Sequence, residues 1–155
     1  MELKIRNLEE KDWDILPSWW DGWKWTTPNR DALPQNGLGG FMVYKEDRCI
    51  LAGFVYTTNS KGAWVEWIIS DPEYRDNDRQ EALELFIKSA ENWLALFKYK
   101  YILFIGRHKN LIDTFKRLGW NADENPSYEL MLLWLAQRTK NGSVVNITIR
   151  AKANI

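Results

Sequence analysis

Two side chains in this sequence have the chemistry of a proton acceptor near neutral pH. Glu66 is the one ionisable residue within Ala63–Ser70, and Trp64, Val65 and Trp67 flank it. An apolar setting raises a carboxyl pKa toward the range of a working base. The competing reading is an ordinary solvent-facing glutamate on the polar side of a strand. His108, the only histidine, lies in R-H-K-N. Imidazole is a base by type, but one set between Arg107 and Lys109 also reads as a solvated loop residue. A third feature is aromatic: of ten tryptophans, five fall within Trp13–Trp25. Indoles can stack on a ring-bearing ligand or take a cation on their faces. They can equally cover a sheet face as core, the reading preferred for Trp13 and one of Trp19–Trp20. Trp23 and Trp25 share one side of the chain if W-W-D-G-W-K-W-T is extended.

These residues must be positioned by a chain of 155 residues with 21 basic and 21 acidic side chains, 45% hydrophobic and 27% charged. That composition is one of an ordinary globular domain. A zero formal charge speaks against a nucleic-acid binder, whose affinity comes from clustered Lys and Arg. The single Cys49 cannot form an intrachain disulfide, and no Cys/His spacing resembles a metal site. M-E-L-K-I-R lacks the apolar stretch of a secretory signal. The longest apolar run, Leu130–Ala136, has seven residues, against roughly 20 for a membrane span. A cytoplasmic protein with no nucleic-acid or membrane partner is the expectation.

The element order follows from periodicity. Glu2–Arg6 alternates as a short strand, and Asn7 can cap a helix that stops near Pro17. Asp21–Leu38 is aromatic and then turn-rich. Phe41–Tyr44, Ile50–Thr57 and Ala63–Ser70 read as strands joined by turns at Lys45–Arg48 and Asn59–Gly62. From Asp78, a plausible N-cap, to Phe97 the period becomes 3.6, with Ala82, Leu83, Phe86, Ile87, Ala90, Trp93, Leu94 and Phe97 on one stripe. Tyr101–Ile105 has the pattern of a strand covered on both faces. Asn110–Leu118 is a second amphipathic helix closed by Gly119, and Tyr128–Leu135 is assigned as a strand. Val144–Arg150 alternates as a further strand or an ordered tail. An antiparallel meander thus leads into a β-α-β unit: mixed α/β architecture, not doubly wound.

This order resembles the GNAT superfamily of N-acyltransferases, and local residues carry the likeness. Asp71–Leu83 reads D-P-E-Y-R-D-N-D-R-Q-E-A-L. The family pattern D-P-x-Y-R-G-x-G-x-G-x-A-L is matched at Asp71, Pro72, Tyr74, Arg75, Ala82 and Leu83. The later pattern N-x-x-x-x-x-Y-x-x-L-G-F is matched at Asn110, Leu118 and Gly119. The resemblance runs from Glu2 to Leu135, so residues 1–136 form the expected domain and 137–155 a basic tail. It implies acetyl- or another acyl-coenzyme A as cofactor, with the pyrophosphate over Arg75, Asp76, Asn77, Asp78, Arg79 and Gln80. It implies cofactor contacts at Ile69, Asn110 and Phe115, and a pantetheine arm between Ala63–Ser70 and Tyr101–Ile105. Glu66, and secondarily His108, would be the base, and a small primary amine the acceptor, walled by Trp20, Trp23 and Trp25. A monomer or a homodimer is compatible, the latter by strand addition through Val144–Arg150.

Two departures define a rival. Asp76, Asp78 and Gln80 stand where the family has glycines that let a pyrophosphate approach a helix N-terminus. Two carboxylates there repel phosphate unless they turn away or pair with Arg75 and Arg79. Phe115 stands where many members carry a tyrosine that protonates the leaving thiolate, and phenylalanine has no hydroxyl. The rival is a GNAT-like binding module that has lost acyl-coenzyme A.

Overall fold

The central strand explains the architecture. In β3 (Arg48–Thr57) every residue from Ile50 to Val55 is buried, as happens when a strand is covered on both faces. The computed structural model describes residues 2–106 and 108–121, which fall in two compact units, 1–105 and 106–155. The first unit holds a five-stranded sheet in the order β1 (Lys4–Asn7), β2 (Gly40–Lys45), β3, β4 (Gly62–Ser70), β5 (Tyr101–Phe104). The first three pairings are antiparallel and β4–β5 is parallel. The long helix α2 (Arg79–Leu96) forms the crossover between those two parallel strands.

Alternation along β3 assigns the two faces. Gly53 points at α2: a Cβ there would lie 2.3 Å from the Phe86 ring, so the missing side chain seats that ring on the sheet. Ala82, Phe86, Ile87, Ala90 and Leu94 form the buried stripe of α2, as the 3.6-residue period requires. Ala52 and Phe54 point the other way, into a core with Leu16, Trp19, Trp20, Met42 and Ile69. That core is roofed by α1 (Leu16–Gly22) and by 3-10 turns at Glu10–Asp14, Arg30–Ala32 and Pro34–Gly37.

Three sequence expectations are corrected here. Pro17 does not end a helix but occupies the first turn of α1, where its missing N–H is no loss. Asn7 is the last residue of β1, paired with Phe41, and not a cap. Among the described residues β5 is open on one face: Tyr101 and Leu103 are 68% and 63% exposed, and Ile105 just beyond the strand 54%.

In the second unit, α3 (Lys109–Arg117) ends as expected at Gly119, whose φ of 94° is left-handed. Gly119 N–H donates to the Lys116 carbonyl and Trp120 N–H to the Phe115 carbonyl, each at 3.0 Å. The Phe115 and Trp120 rings meet edge-on at 4.7 Å, the apolar contact that accompanies this helix stop. The expected strands at 128–135 and 144–150, and the tail from 137, lie outside the described residues.

Candidate active site

The turn after β4 is built by its aspartate. The Asp71 carboxylate accepts from Glu73 N–H at 2.9 Å and pairs with Arg48 at 2.9 Å, so the chain reverses at Pro72 and buries Tyr74. Gly22, at the end of α1, abuts this turn, with room for no Cβ beside Pro72. Tyr74 donates its hydroxyl to Asp78 Oδ1 at 2.6 Å, and Lys45 of β2 donates to Asp78 Oδ2 at 2.7 Å. Lys45 first, then Tyr74, holds the Asp78 carboxyl below its ordinary range. Burial, then the neighbouring Asp78, pushes the Tyr74 phenol well up.

Asp78 therefore stands at the N-cap position of α2 without making a side-chain cap hydrogen bond. Of the two ways for a carboxylate here not to repel phosphate, turning away or pairing with Arg75 or Arg79, Asp78 shows neither arginine pair and is neutralised by Lys45. No residue from Asp71 to Gln80, Asn77 included, has a positive φ. The backbone of this loop does not need glycine. Lys45, Arg75, Asp76, Asn77 and Asp78 line an open cavity of about 500 Å³, two cations balancing two carboxylates.

Both arginines lean on one indole. Arg75 and Arg79 lie 5.8 and 5.2 Å from the Trp23 ring centre, and Arg79 also donates to Ser70 Oγ at 3.0 Å. Neither forms an ion pair among the described residues. Burial, and then the like charge of Arg75, lowers the Arg79 pKa. Trp23 donates its indole N–H to the Ser70 carbonyl at 2.8 Å and stacks on Trp25 at 5.9 Å.

At the middle of β4 the ladder is interrupted on both sides. Ala52 pairs with Ile69 but Phe54 with Glu66, so β4 carries an extra residue, with Trp67 left-handed at φ 55°. Such a bulge bends the strand and takes backbone groups out of the ladder. On the other side, pairing with β5 runs from Gly62 to Val65 only, while β4 continues to Ser70. Glu66 is the first residue past that split.

Register puts Glu66 beside Phe54 and Trp64 beside Tyr56 on the α1 face. Tyr56 and Trp64 stack at 5.2 Å and 13°, and the Tyr56 hydroxyl donates to the Ala32 carbonyl. Glu66 is half-buried, and burial raises its carboxyl above the ordinary 4.5. Burial pushes the Tyr56 phenol up to about 12, with the Trp67 indole N–H acting against that and the Glu66 charge adding to it.

Trp20 is corrected: it is 1% exposed, in the core against Trp13 at 6.0 Å, and offers no surface to a ligand. The Ile69 side chain is likewise in the core. Gln80 is exposed in the first turn of α2. His108 and Asn110 are exposed at the start of α3, and Phe115 is buried there. Sequence reasoning missed Lys45, Tyr56, Trp64 and Trp67 as site residues. The alternation along β4 signals that Trp64 shares a face with Glu66; nothing local signals Lys45.

No protein-family model matches the sequence, and no curated protein does so at significant similarity. Solved structures do match the fold. The ribosomal-protein-S18-alanine N-acetyltransferase of Escherichia coli is similar over 83% of this chain and 86% of its own, with TM-score 0.62 and 12% identity. A GNAT-family acetyltransferase from Streptococcus pneumoniae covers 77% of this chain and 86% of its own, at TM-score 0.55 and 14% identity. AAC(6')-Iy, solved with the bisubstrate analog CoA-S-monomethyl-acetylneamine, covers 83% and 97%, at TM-score 0.57 and 13% identity. With its meander, its β4–α2–β5 crossover and these neighbours, the chain has the fold of the GNAT acetyltransferases.

Proposed function

We propose that this protein is an N-acyltransferase that moves an acetyl or related acyl group from acyl-coenzyme A to a small primary amine. The observation that carries the reading is the split between β4 and β5: the parallel pair separates after Val65 while β4 runs on to Ser70. An extended amide-bearing arm can add to an open strand edge through backbone hydrogen bonds. The residues at the end of that edge fit a diphosphate. The N-terminus of α2, an 18-residue helix, carries no side-chain cap, and its dipole favours negative charge. Arg75 and Arg79 lack carboxylate partners among the described residues, and Lys45 neutralises Asp78. When bound, acyl-coenzyme A supplies an activated acyl group. Glu66, ionised, is placed to accept the proton shed by the amine. The bulge at Trp67 sets free backbone dipoles that can polarise a carbonyl. No acid role falls to Phe115, whose ring serves the stop of α3. The lone Cys49 suits a reducing, cytoplasmic setting, and among the described residues no helix is long and apolar enough to cross a membrane.

Calorimetric titration with acetyl-coenzyme A tests the reading. Saturable heat and a thermal shift are expected, weakened about tenfold or more when Arg75 and Arg79 are both replaced by Ala. No heat and no shift at millimolar ligand would overturn it. The rival, a GNAT-like module without the cofactor, draws on the carboxylates Asp76 and Asp78. It gains if acetyl-coenzyme A binds only after Asp76, Asp78 and Gln80 are all changed to glycine.

A further inference from the structure

The described face of the sheet at the split has one charge. Glu66 is half-buried and forms no hydrogen bond or ion pair among the described residues, and no other ionisable residue lies in β4. Around it on the same face are Phe54, Tyr56, Trp64 and Trp67, and beyond Trp64 its register partner Leu103 on β5. Trp67, Leu103 and Tyr101 are 37%, 63% and 68% exposed, so the apolar surface is available as well as present. A carboxylate withdrawn from water without a partner is unfavourable until a cation reaches it.

The Trp23–Trp25 pair, in contrast, sits beside two guanidinium groups with no anionic partner among the described residues. A cationic ligand is repelled there and attracted at Glu66. A polyamine would need further carboxylates, and an amino sugar would need a row of polar partners; the described strand residues of this face supply neither.

Resting on the acyltransfer reading, we infer that the acceptor is a primary monoamine with a flat apolar body, its ammonium at Glu66 and its body against Trp64 and Trp67. The ammonium gives one proton to the Glu66 carboxylate, and the neutral amine nitrogen uses its electron pair to bond the acyl carbon. The carbon–sulfur bond breaks, and coenzyme A leaves as its thiolate, which takes up the second proton the nitrogen sheds, so that amide and thiol result.

The test is equilibrium binding of phenethylamine to the full chain without acetyl-coenzyme A, read by NMR shifts. Phenethyl alcohol, the uncharged analogue, and spermidine serve as comparisons. Phenethylamine is expected to bind about tenfold or more tighter than either. That advantage should vanish in Glu66→Gln and shrink in Trp67→Ala, with Trp25→Ala unchanged. Equal affinity for the alcohol, tighter binding of spermidine, or no phenethylamine binding would overturn the inference on the unmodified protein alone. So would full phenethylamine affinity in Glu66→Gln. If acetyl-coenzyme A gives heat and the amine selectivity is absent, the acceptor inference fails and the acyltransfer reading stands. If the selectivity is present and acetyl-coenzyme A gives none, the amine site stands and the acyltransfer reading falls.

Discussion

Glu66 and Asp12 are both carboxylates withdrawn from water, and their neighbours push them in opposite directions. At Glu66 burial acts alone and raises the carboxyl. At Asp12 burial also pushes upward, but Arg6, donating at 2.7 and 2.8 Å, and Glu9 N–H, at 2.8 Å, outweigh it and hold the carboxyl below its ordinary value. The raised group is the one suited to take up and release a proton; the lowered one is a fixed anion. In acetyl transfer the acid limb of kcat/KM, a free-enzyme quantity, is therefore expected above the ordinary glutamate value of 4.5. Glu66→Gln should flatten that limb and lower the rate by about 10²-fold or more. A limb that persists in the variant assigns the base elsewhere. Tyr56, on β3, is the titratable neighbour that feels the Glu66 charge, and at about 12 it stays neutral across this range.

At the scale of elements, the loop from β4 to α2 is held by a side chain from another strand. Lys45 and Asp78 are 33 residues apart, which is why no reading of D-P-E-Y-R-D-N-D-R-Q could find the pair. Removing the lysine leaves two carboxylates facing the cavity against one arginine. Lys45→Met is expected to weaken acetyl-coenzyme A binding about tenfold at low salt, and Asp78→Asn added to it should restore most of the loss. Additive losses in this cycle would show that Asp78 contributes something beyond its charge. The elements themselves were mostly legible. The change of period from 2 to 3.6 near Asp78 marks α2, and alternation marks β2 to β4. α1 was misplaced because Pro17 reads as a stop, although the same fixed φ suits a first helical turn. β5 looked doubly covered because five apolar residues look alike whether or not anything lies over them. Among the tryptophans of Trp13–Trp25, the core role expected for Trp13 and one of Trp19–Trp20 fits, and Trp20 alone is in the core where a ligand wall was expected. Trp13, Trp19 and Trp20 are spent on the core, while Trp64 and Trp67 meet at the split because strands bring them there.

For the molecule as a whole, stability against acid should depend on the buried pair under the first 3-10 turn. Asp12 is 2% exposed and joins β1 to that turn through Arg6. Its folded pKa lies below the unfolded value of about 3.9, so its contribution is present above that value. It is lost as the pH falls through the lower, folded pKa. Asp12→Ala is expected to cost about 2 kcal/mol at neutral pH, since it takes the partner from the half-buried Arg6 guanidinium and the acceptor from Glu9 N–H. The acid branch of the unfolding curve should become shallower. A urea midpoint unchanged at neutral pH, or an unaltered acid branch, would remove the pair from the account of stability.

Trp67 carries a broader consequence. Its left-handed backbone is one that glycine adopts freely and that an L side chain holds at a cost of about 1 kcal/mol or more. The chain nevertheless keeps its bulkiest residue type there, with part of the ring turned to solvent. Position 67 is thus a place where durability and performance are set against each other. A screen for heat resistance alone should enrich glycine or asparagine at this position early. A screen for turnover should reject the same clones, and the tension between the two selections would locate the working surface of the protein without any knowledge of its substrate.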